Sequence, residues 1–240
     1  MPGLGTFINI AAIIAGGTIG YFFGGLLKDR VQEGLIMASG LGTMFLGISG
    51  ATEKLLSIKS GELTSVSNMM MILSLVLGVL VGELLNIEGY FESLGHFLKE
   101  KTGNSSDPAF TQAFVDTSLV VCIGAMAVVG AINDGIYHRP DTLIAKSVLD
   151  FVIVMVMASA EGKGSIFSFV SVAILQGTIT LLATLIKPVM TTQALSNLSL
   201  VGSILIFCVG LNLIFGQKIR VANFLPALVF AVVFAFIPGF

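Results

Sequence analysis

Long apolar runs recur along the whole chain, separated by short segments that hold most of the charged residues. A helix needs about 20 mostly apolar residues to cross a ~30 Å hydrocarbon core, and eight runs approach that length. They lie at residues 6–27, 34–51, 66–85, 110–132, 142–160, 166–186, 198–215 and 221–238. The pattern predicts an all-α, polytopic membrane protein with about eight spans in a single transmembrane domain, residues 1–240.

Composition points the same way and removes other classes. Hydrophobic residues make up 55% of the 240 residues and charged residues 11%, against roughly 25% charged in a typical soluble domain. A net charge of −2 without a long basic run excludes a nucleic-acid partner. No nucleophile–base pair stands at span depth, and neither histidine has a partner at metal-ligand spacing. We therefore expect no enzyme activity, no cofactor and no metal, and a lipid bilayer as the surroundings.

The distribution of Lys and Arg gives a small preference for one orientation, because cytoplasmic loops are enriched in these residues. If residue 1 lies outside, seven of the twelve fall on the cytoplasmic side. They are Lys28, Arg30, Lys99, Lys101, Lys163, Lys218 and Arg220.

The one long loop, residues 86–109, contains an amphipathic segment at about 88–101. Its apolar residues stand at helical spacing: Tyr90, Phe91, Leu94, Phe97 and Leu98. Such a pattern is typical of a helix lying in the membrane interface. A helix packed on the end of the bundle has the same pattern, so both interpretations stay open.

Small residues recur every fourth position in the first three spans. The stripes are Ala12, Gly16, Gly20 and Gly24 in the first, Gly34, Ala38 and Gly42 in the second, and Ser74, Gly78 and Gly82 in the third. Small residues let membrane helices approach closely. The stripes predict close helix crossings, and they would also suit contacts between subunits of a homo-oligomer.

An internal repeat is indicated at an offset of 160 residues, which matches spans one and two with spans six and seven. Nine identities fall within residues 1–52, among them Gly17-Thr18-Ile19 with Gly177-Thr178-Ile179. An offset of five spans is odd, so the matched helices would run in opposite directions. Inverted repeats of this kind recur in secondary transporters. The repeat-like halves would be 1–85 and 161–240, with the two G-T-I segments meeting just past mid-depth.

The fifth span holds the strongest candidate site. Lys146 and Asp150 stand four residues apart in K-S-V-L-D, on one helical face. Ionisable groups within a bilayer are expensive and commonly functional. The carboxylate could bind a cation or proton with Lys146 as its counter-charge. A structural salt bridge, or a Lys146 that extends to the surface, is the alternative.

Other polar residues inside the spans complete the candidate set. Gln176, Thr18, Thr178 and Asn212 are predicted to contact a solute or ion, although packing roles are also open for them. Asn9 is expected at an interface, and Asp134, Glu83 and Glu161 near enough to span ends to be solvated. Pro226 should interrupt the eighth helix locally.

Several strings, in order along the chain, carry a resemblance to a known family. They are G-T-F-I-N at 5–9, V-G-E-L-L at 81–85, V-C-I-G-A-M-A at 121–127, K-S-V-L-D at 146–150, L-Q-G at 175–177, V-G-L-N-L at 209–213 and N-F-L-P-A-L at 223–228. The chain resembles the bacterial membrane proteins of unknown function 554, the YdfK/YqgA type. The resemblance implies a multi-pass bacterial inner-membrane protein with possible transport activity, and it supports Lys146, Asp150, Gln176 and Asn212. Phe151, Asp116 and the stretch with Glu161 and Lys163 depart from the family pattern.

Together these features favour a secondary transporter of a small solute or ion, with its site near the midplane. Asp150 would carry the coupling ion and Lys146 would tune it. A passive channel built from several copies is one alternative, and a non-transporting membrane scaffold or sensor is another.

Overall fold

The computed structural model describes residues 3–26, 28–59, 62–123 and 125–237. Its helices and strands, in chain order, are α1 (Leu4–Gly24), α2 (Asp29–Leu55), β1 (Leu56–Lys59), β2 (Glu62–Ser65), α3 (Asn68–Leu85), α4 (Ile87–Lys101), α5 (Phe110–Cys122), α6 (Ala125–Tyr137), α7 (Asp141–Glu161), α8 (Ser168–Leu181), α9 (Ala183–Ile186), α10 (Thr192–Phe215) and α11 (Pro226–Phe234). Short 3₁₀ segments lie at Lys163–Phe167, Lys187–Val189 and Val221–Phe224. Leu27, Gly124 and Pro238, which fall in predicted spans, lie outside the described residues.

The all-α polytopic class is confirmed. Among the described residues, six helices are long and apolar enough to cross a membrane: α1, α2, α3, α7, α8 with its preceding 3₁₀ turn, and α10. The fourth predicted span is instead two helices, α5 and α6, inclined to each other by 66°. Counted together, these two give a seventh span.

The eighth predicted span is shorter than the sequence indicates. Its helical part runs over Val221–Phe234 and joins a 3₁₀ turn to α11. Pro226 does not interrupt a helix but is the first residue of α11, a position where its missing N–H removes no hydrogen bond. The sequence pattern alone placed this proline inside a continuous apolar run.

A two-stranded antiparallel hairpin between α2 and α3 was not predicted. In β1 and β2, Leu56 pairs with Ser65 and Lys59 with Glu62. The alternation L-S-I-K and E-L-T-S around Ser60-Gly61 is a hairpin pattern. The hairpin pattern covers only a few residues, and the long apolar runs on both sides of it are the stronger signal in this part of the sequence.

Glycines set the closest helix contacts, as two of the three predicted stripes indicate. Added Cβ atoms at Gly16, Gly20 and Gly24 of α1 would overlap the backbone carbonyls of Phe151, Met155 and Ser159 on α7. In α3, Gly78 and Gly82 meet Ala227 and Asn223 in the same way. The stripe in α2 differs: Gly34 and Gly42 have open space around them.

The two G-T-I segments do not meet, in contrast to the expectation that they cross just past mid-depth. α1 and α8 are antiparallel, with the Oγ1 atoms of Thr6 and Thr180 3.5 Å apart and Gly17 against Ile166. This register places Gly17 about ten residues from Gly177 along α8. The inverted repeat itself stays a prediction.

The apolar residues of α4 divide between two surroundings. Phe91, Leu94 and Leu98 pack against the buried core of the bundle, whereas Tyr90 and Phe97 are exposed. The helix therefore lies against the end of the bundle and still presents two aromatic rings outward.

Candidate functional site

The contact between α1 and α7 determines where the candidate acid lies. Because Gly16, Gly20 and Gly24 let the two backbones touch, α7 runs parallel to α1 at very short range. Asn9 of α1 is thereby brought beside Asp150 of α7, and its Nδ2 donates to Asp150 Oδ2 at 2.9 Å. Asn9 is fully buried within the protein; its expected position at a membrane interface stays a prediction. The missed signal is an amide inside an apolar run, which is expensive unless it is bonded.

The bend between α5 and α6 supplies the second partner. The last carbonyls of a helix have no partner within it, and α5 ends at Cys122. Lys146 Nζ donates to the Val121 carbonyl at 2.8 Å. An unwound point of this kind inside a span is where transporters expose backbone to ions.

Lys146 and Asp150 form the centre of the site. Lys146 Nζ lies 2.7 Å from Asp150 Oδ1 and 2.6 Å from Oδ2, and the two residues are 7% and 2% exposed. Asp150 is nine residues into α7, about 14 Å deep at 1.5 Å per residue. A hydrocarbon core that began at Asp141 and measured ~30 Å would have its middle near this position. The alternative in which Lys146 extends to the surface is not observed, because Lys146 is buried and paired with Asp150; the structural salt bridge stays an alternative.

The surroundings of this pair are apolar. Val121 accepts a hydrogen bond from Lys146, and Val154 lies one helical turn after Asp150. Both belong to a buried cluster with Ile13 and Val172. A charge is far more costly in such an environment than in water unless it is paired. Each charge here has two or more polar partners, so the arrangement holds an ionised pair and would respond strongly to loss of either partner.

Gln176 lies on α8, which packs against the α1 helix that carries Asn9. The contacts of Thr6 with Thr180 and of Gly17 with Ile166 bracket the two amides and place them at the same level of α1 and α8. Gln176 is 0% exposed, and neither its Nε2 nor its Oε1 has a partner within the described residues. Oδ1 of Asn9 is likewise unpartnered there. The whole amide of Gln176 and the Oδ1 of Asn9 are thus unpartnered at this level of the two helices.

The other predicted contact residues lie elsewhere. Thr18 donates to the carbonyl of Ile14 within its own helix at 2.6 Å, and Thr178 is exposed on the outside of α8. Asn212 is occupied in holding a loop: its amide donates to the Ile219 carbonyl at 2.7 Å and its Oδ1 accepts from the N–H groups of Lys218 and Ile219 at 3.0 Å. The structure joins Lys146 and Asp150 directly, places Gln176 on α8 at the level of Asn9, and gives Thr18, Thr178 and Asn212 other surroundings.

Asp134 was expected to be solvated and is instead fully buried. Its Oδ2 accepts from the N–H of Gly5 at 2.9 Å, at the start of α1. Asp134 Oδ1 has no partner among the described residues. Glu83, by contrast, is exposed and pairs with Arg220 at 3.2 Å.

A polar cavity of about 280 Å³ opens at the end of the bundle where α7 and α10 finish. Asp116, Glu161 and Asn212 line it, together with Gln112 and Gln217. Nε2 of Gln112 donates to Asp116 Oδ2 at 2.7 Å, and Asp116 is buried. We call this space the polar end cavity.

A second cavity of about 500 Å³ adjoins it, because Gln112 and Gln217 line both. Glu88 lines this second cavity and is itself buried, with Oε2 accepting from the N–H of Ala222 at 3.0 Å. Desolvation raises the pKa of the Glu88 carboxyl above its ordinary value, and the nearby Glu92 and Asp116 raise it further. The hydrogen bond from Ala222 acts in the opposite direction.

Comparisons with known proteins agree with the sequence resemblance. The model of a family described as "Protein of unknown function (DUF554)" matches residues 4–236. The chain is 30% identical over 235 residues to "Uncharacterized protein YqgA" of Escherichia coli (strain K12), covering 95% of this chain and 94% of the relative. It is 29% identical over 233 residues to "Uncharacterized membrane protein YdfK" of Bacillus subtilis (strain 168), covering 97% and 96%. No solved structure matches.

Proposed function

The chain belongs to the DUF554 family of membrane proteins, and from this starting point we propose that it is a secondary transporter of a small solute or ion across the bacterial inner membrane. The observation that carries the proposal is the ion pair of Lys146 and Asp150 near mid-depth, with Lys146 bonded to the Val121 carbonyl beside a bent span. Buried charges next to interrupted helices are typical of transporter sites.

In this mechanism Asp150 binds the coupling cation or proton, and its charge state determines what Lys146 does. When Asp150 is ionised, both of its oxygens accept from Lys146. When a proton or cation neutralises Asp150, Lys146 retains the Val121 carbonyl and becomes available to an anionic or polar solute. The free amide of Gln176 and Oδ1 of Asn9 provide uncharged contacts at the same level. Alternating access would follow from movement of one group of helices against the other.

The experiment is transport into proteoliposomes that contain the purified full chain. Candidate amino acids, nucleosides and inorganic ions are presented with an imposed proton or sodium gradient, and charge movement is recorded on a solid-supported membrane. We expect gradient-dependent currents for at least one solute class, and their loss in Asp150→Asn. Glu53→Gln, an equivalent change at an exposed acid, should retain them.

Two results would count against the proposal. Currents that Asp150→Asn leaves unchanged would remove Asp150 from the mechanism. Flux that is indifferent to both gradients would favour the passive channel instead.

A further inference from the structure

Buried polar atoms without partners are concentrated in one seam of the bundle. Thr117, Ser165 and Ser168 are each 0% exposed, and their hydroxyls have no hydrogen-bond partner within the part of the chain that the structure describes. Gln176 and Asn9 add three more such atoms. Leaving one buried polar group unsatisfied is strongly unfavourable, so a group of them in one place points to bound water.

These residues form a column along one face of α8 and the turn before it. Ser165, Ser168, Val172 and Gln176 are separated by three, four and four residues, and all are buried, which places them on a single helical face. The opposite face carries Ile174 and Leu181, which are 57% and 86% exposed. The helix therefore turns its polar side inward and its apolar side outward.

α5 closes the other side of the column. α5 and α8 run parallel, because Gly164 packs on the Phe110 carbonyl and, further along, Ser171 Oγ donates to Ser118 Oγ at 2.9 Å. Thr117 neighbours that bonded pair. Hydroxyls from both helices thus face one narrow seam.

The column joins two acidic positions. Its lower end is close along the chain to the polar end cavity, because Glu161 lines that cavity and immediately precedes the turn that carries Ser165. Asp116 lines the same cavity from α5. Its upper end is Gln176, which is level with the Asn9 that holds Asp150. Eleven residues separate Ser165 from Gln176, about 16 Å at the helical rise of 1.5 Å per residue.

The titratable groups that face this route are few. Asp116 and Glu161 interact at the lower end, and Cys122 lies close enough to Lys146 and Asp150 to interact with both. Asp134 lies beyond the upper end, near the start of α1, where its Oδ2 accepts from the N–H of Gly5. Between the two ends the described side chains of the column offer hydroxyls and amides, except for Val172, which packs in the buried cluster of Ile13, Val121 and Val154.

We propose that this column is a hydrated proton path from the polar end cavity to Asp150, so that the coupling ion of the transporter is a proton. A sodium ion needs several oxygen ligands around one point, whereas hydroxyls and waters pass a proton along hydrogen bonds. The choice of coupling ion rests on the proposed function. The path itself does not, and it is tested without any solute.

The experiment measures hydrogen–deuterium exchange of single thiols by infrared spectroscopy of the S–H band in the reconstituted protein. Cys122 and Cys208 are first replaced by Ala, and Ser168→Cys is introduced as a near-isosteric probe in the column. Ala231→Cys is the matched control, because Ala231 is also 0% exposed but lies in an apolar cluster with Met70 and Val201. On transfer to D₂O we expect the Ser168→Cys thiol to exchange at least roughly 100-fold faster, since a dry site exchanges only when the protein opens locally.

A third variant tests the direction of access. Ser165→Val fills the column between the polar end cavity and position 168, and should slow exchange of the Ser168→Cys thiol by about tenfold or more. Exchange as slow as that of Ala231→Cys would overturn the path, even if proton-driven transport is found. Fast exchange that Ser165→Val does not alter would overturn the entry from the polar end cavity. Fast exchange that Ser165→Val slows, in a protein that transports nothing, would uphold the path and refute the proposed function.

Discussion

Replacing Lys146 by Met should destabilise the protein far more than replacing both members of the ion pair. Lys146→Met leaves the Asp150 carboxyl without its counter-charge among Ile13, Val121 and Val154, with only the amide of Asn9 still donating to it. Removal of one partner of a buried pair costs about 3–5 kcal/mol. The Val121 carbonyl also loses its Lys146 donor.

The double variant Lys146→Met/Asp150→Leu removes both charges and keeps the volume. Apolar replacement of a whole buried pair is often neutral or stabilising by about 1–4 kcal/mol. Here the Asn9 amide and the Val121 carbonyl remain without partners, at about 1–3 kcal/mol each. We therefore expect the double variant to be at least about 2 kcal/mol more stable than Lys146→Met.

The assay is reversible unfolding of the purified protein in detergent or bicelles, with free energies compared in a double-mutant cycle. Glu83→Gln is the control, because Glu83 and Arg220 form an exposed pair and exposed pairs contribute about 1 kcal/mol or less. A double variant as unstable as Lys146→Met would refute the reasoning. If the double variant is stable and loses transport, apolar residues can replace the pair in folding but not in function, and that result would contradict the scaffold interpretation.

Two further predictions concern buried or closely packed positions. Gly20→Ala should destabilise the protein by roughly 1–3 kcal/mol, because its Cβ would overlap the Met155 carbonyl. Gly177 has open space around it, so Gly177→Ala should stabilise the helix by about 0.5–1 kcal/mol. Thermal unfolding measures both effects, and equal effects would contradict the packing of α1 on α7. The raised pKa of Glu88 means that the folded state binds its proton more tightly than the unfolded state. Stability should therefore fall as the pH rises from 4.5 through the folded-state pKa. The decrease in melting temperature across this range should be smaller in Glu88→Gln than in the unchanged protein, and should be the same in Glu100→Gln. Identical profiles in all three proteins would contradict the assignment to Glu88.

Sequence periodicity was sufficient for the membrane class and for most spans, because long apolar runs have few structural solutions in lipid. It also identified Lys146 and Asp150, since the i,i+4 spacing of opposite charges inside an apolar run is a local signal. The glycine stripe of α1 indicated a close crossing but not its partner. The helix that packs on Gly16 and Gly20 is determined by tertiary contacts. These contacts are made with backbone carbonyls of α7, and no local sequence pattern identifies them.

The parts of the site that were missed share a physical cause. Asn9 and Asp134 stand near the ends of their apolar runs, so hydropathy alone predicts positions near water. In the structure both are buried, because Asn9 bonds to Asp150 and Asp134 accepts from the N–H of Gly5. The bend after α5 was missed because the apolar run at 110–132 continues through it. Each of these depends on pairing between segments far apart in the chain, which is set by packing rather than by local sequence.

The polarity of α8 connects these observations. A lipid-facing helix buries small or apolar residues against its neighbours, but α8 buries Ser168, Ser171 and Gln176 and exposes Ile174 and Leu181. Stability alone does not favour the serine at position 168, because alanine there would leave no unsatisfied hydroxyl. The arrangement is therefore expected where water or a proton must reach the interior. The face leads toward Asn9, which holds Asp150, and toward Gln176, and both residues keep unpartnered polar atoms within the described part of the chain.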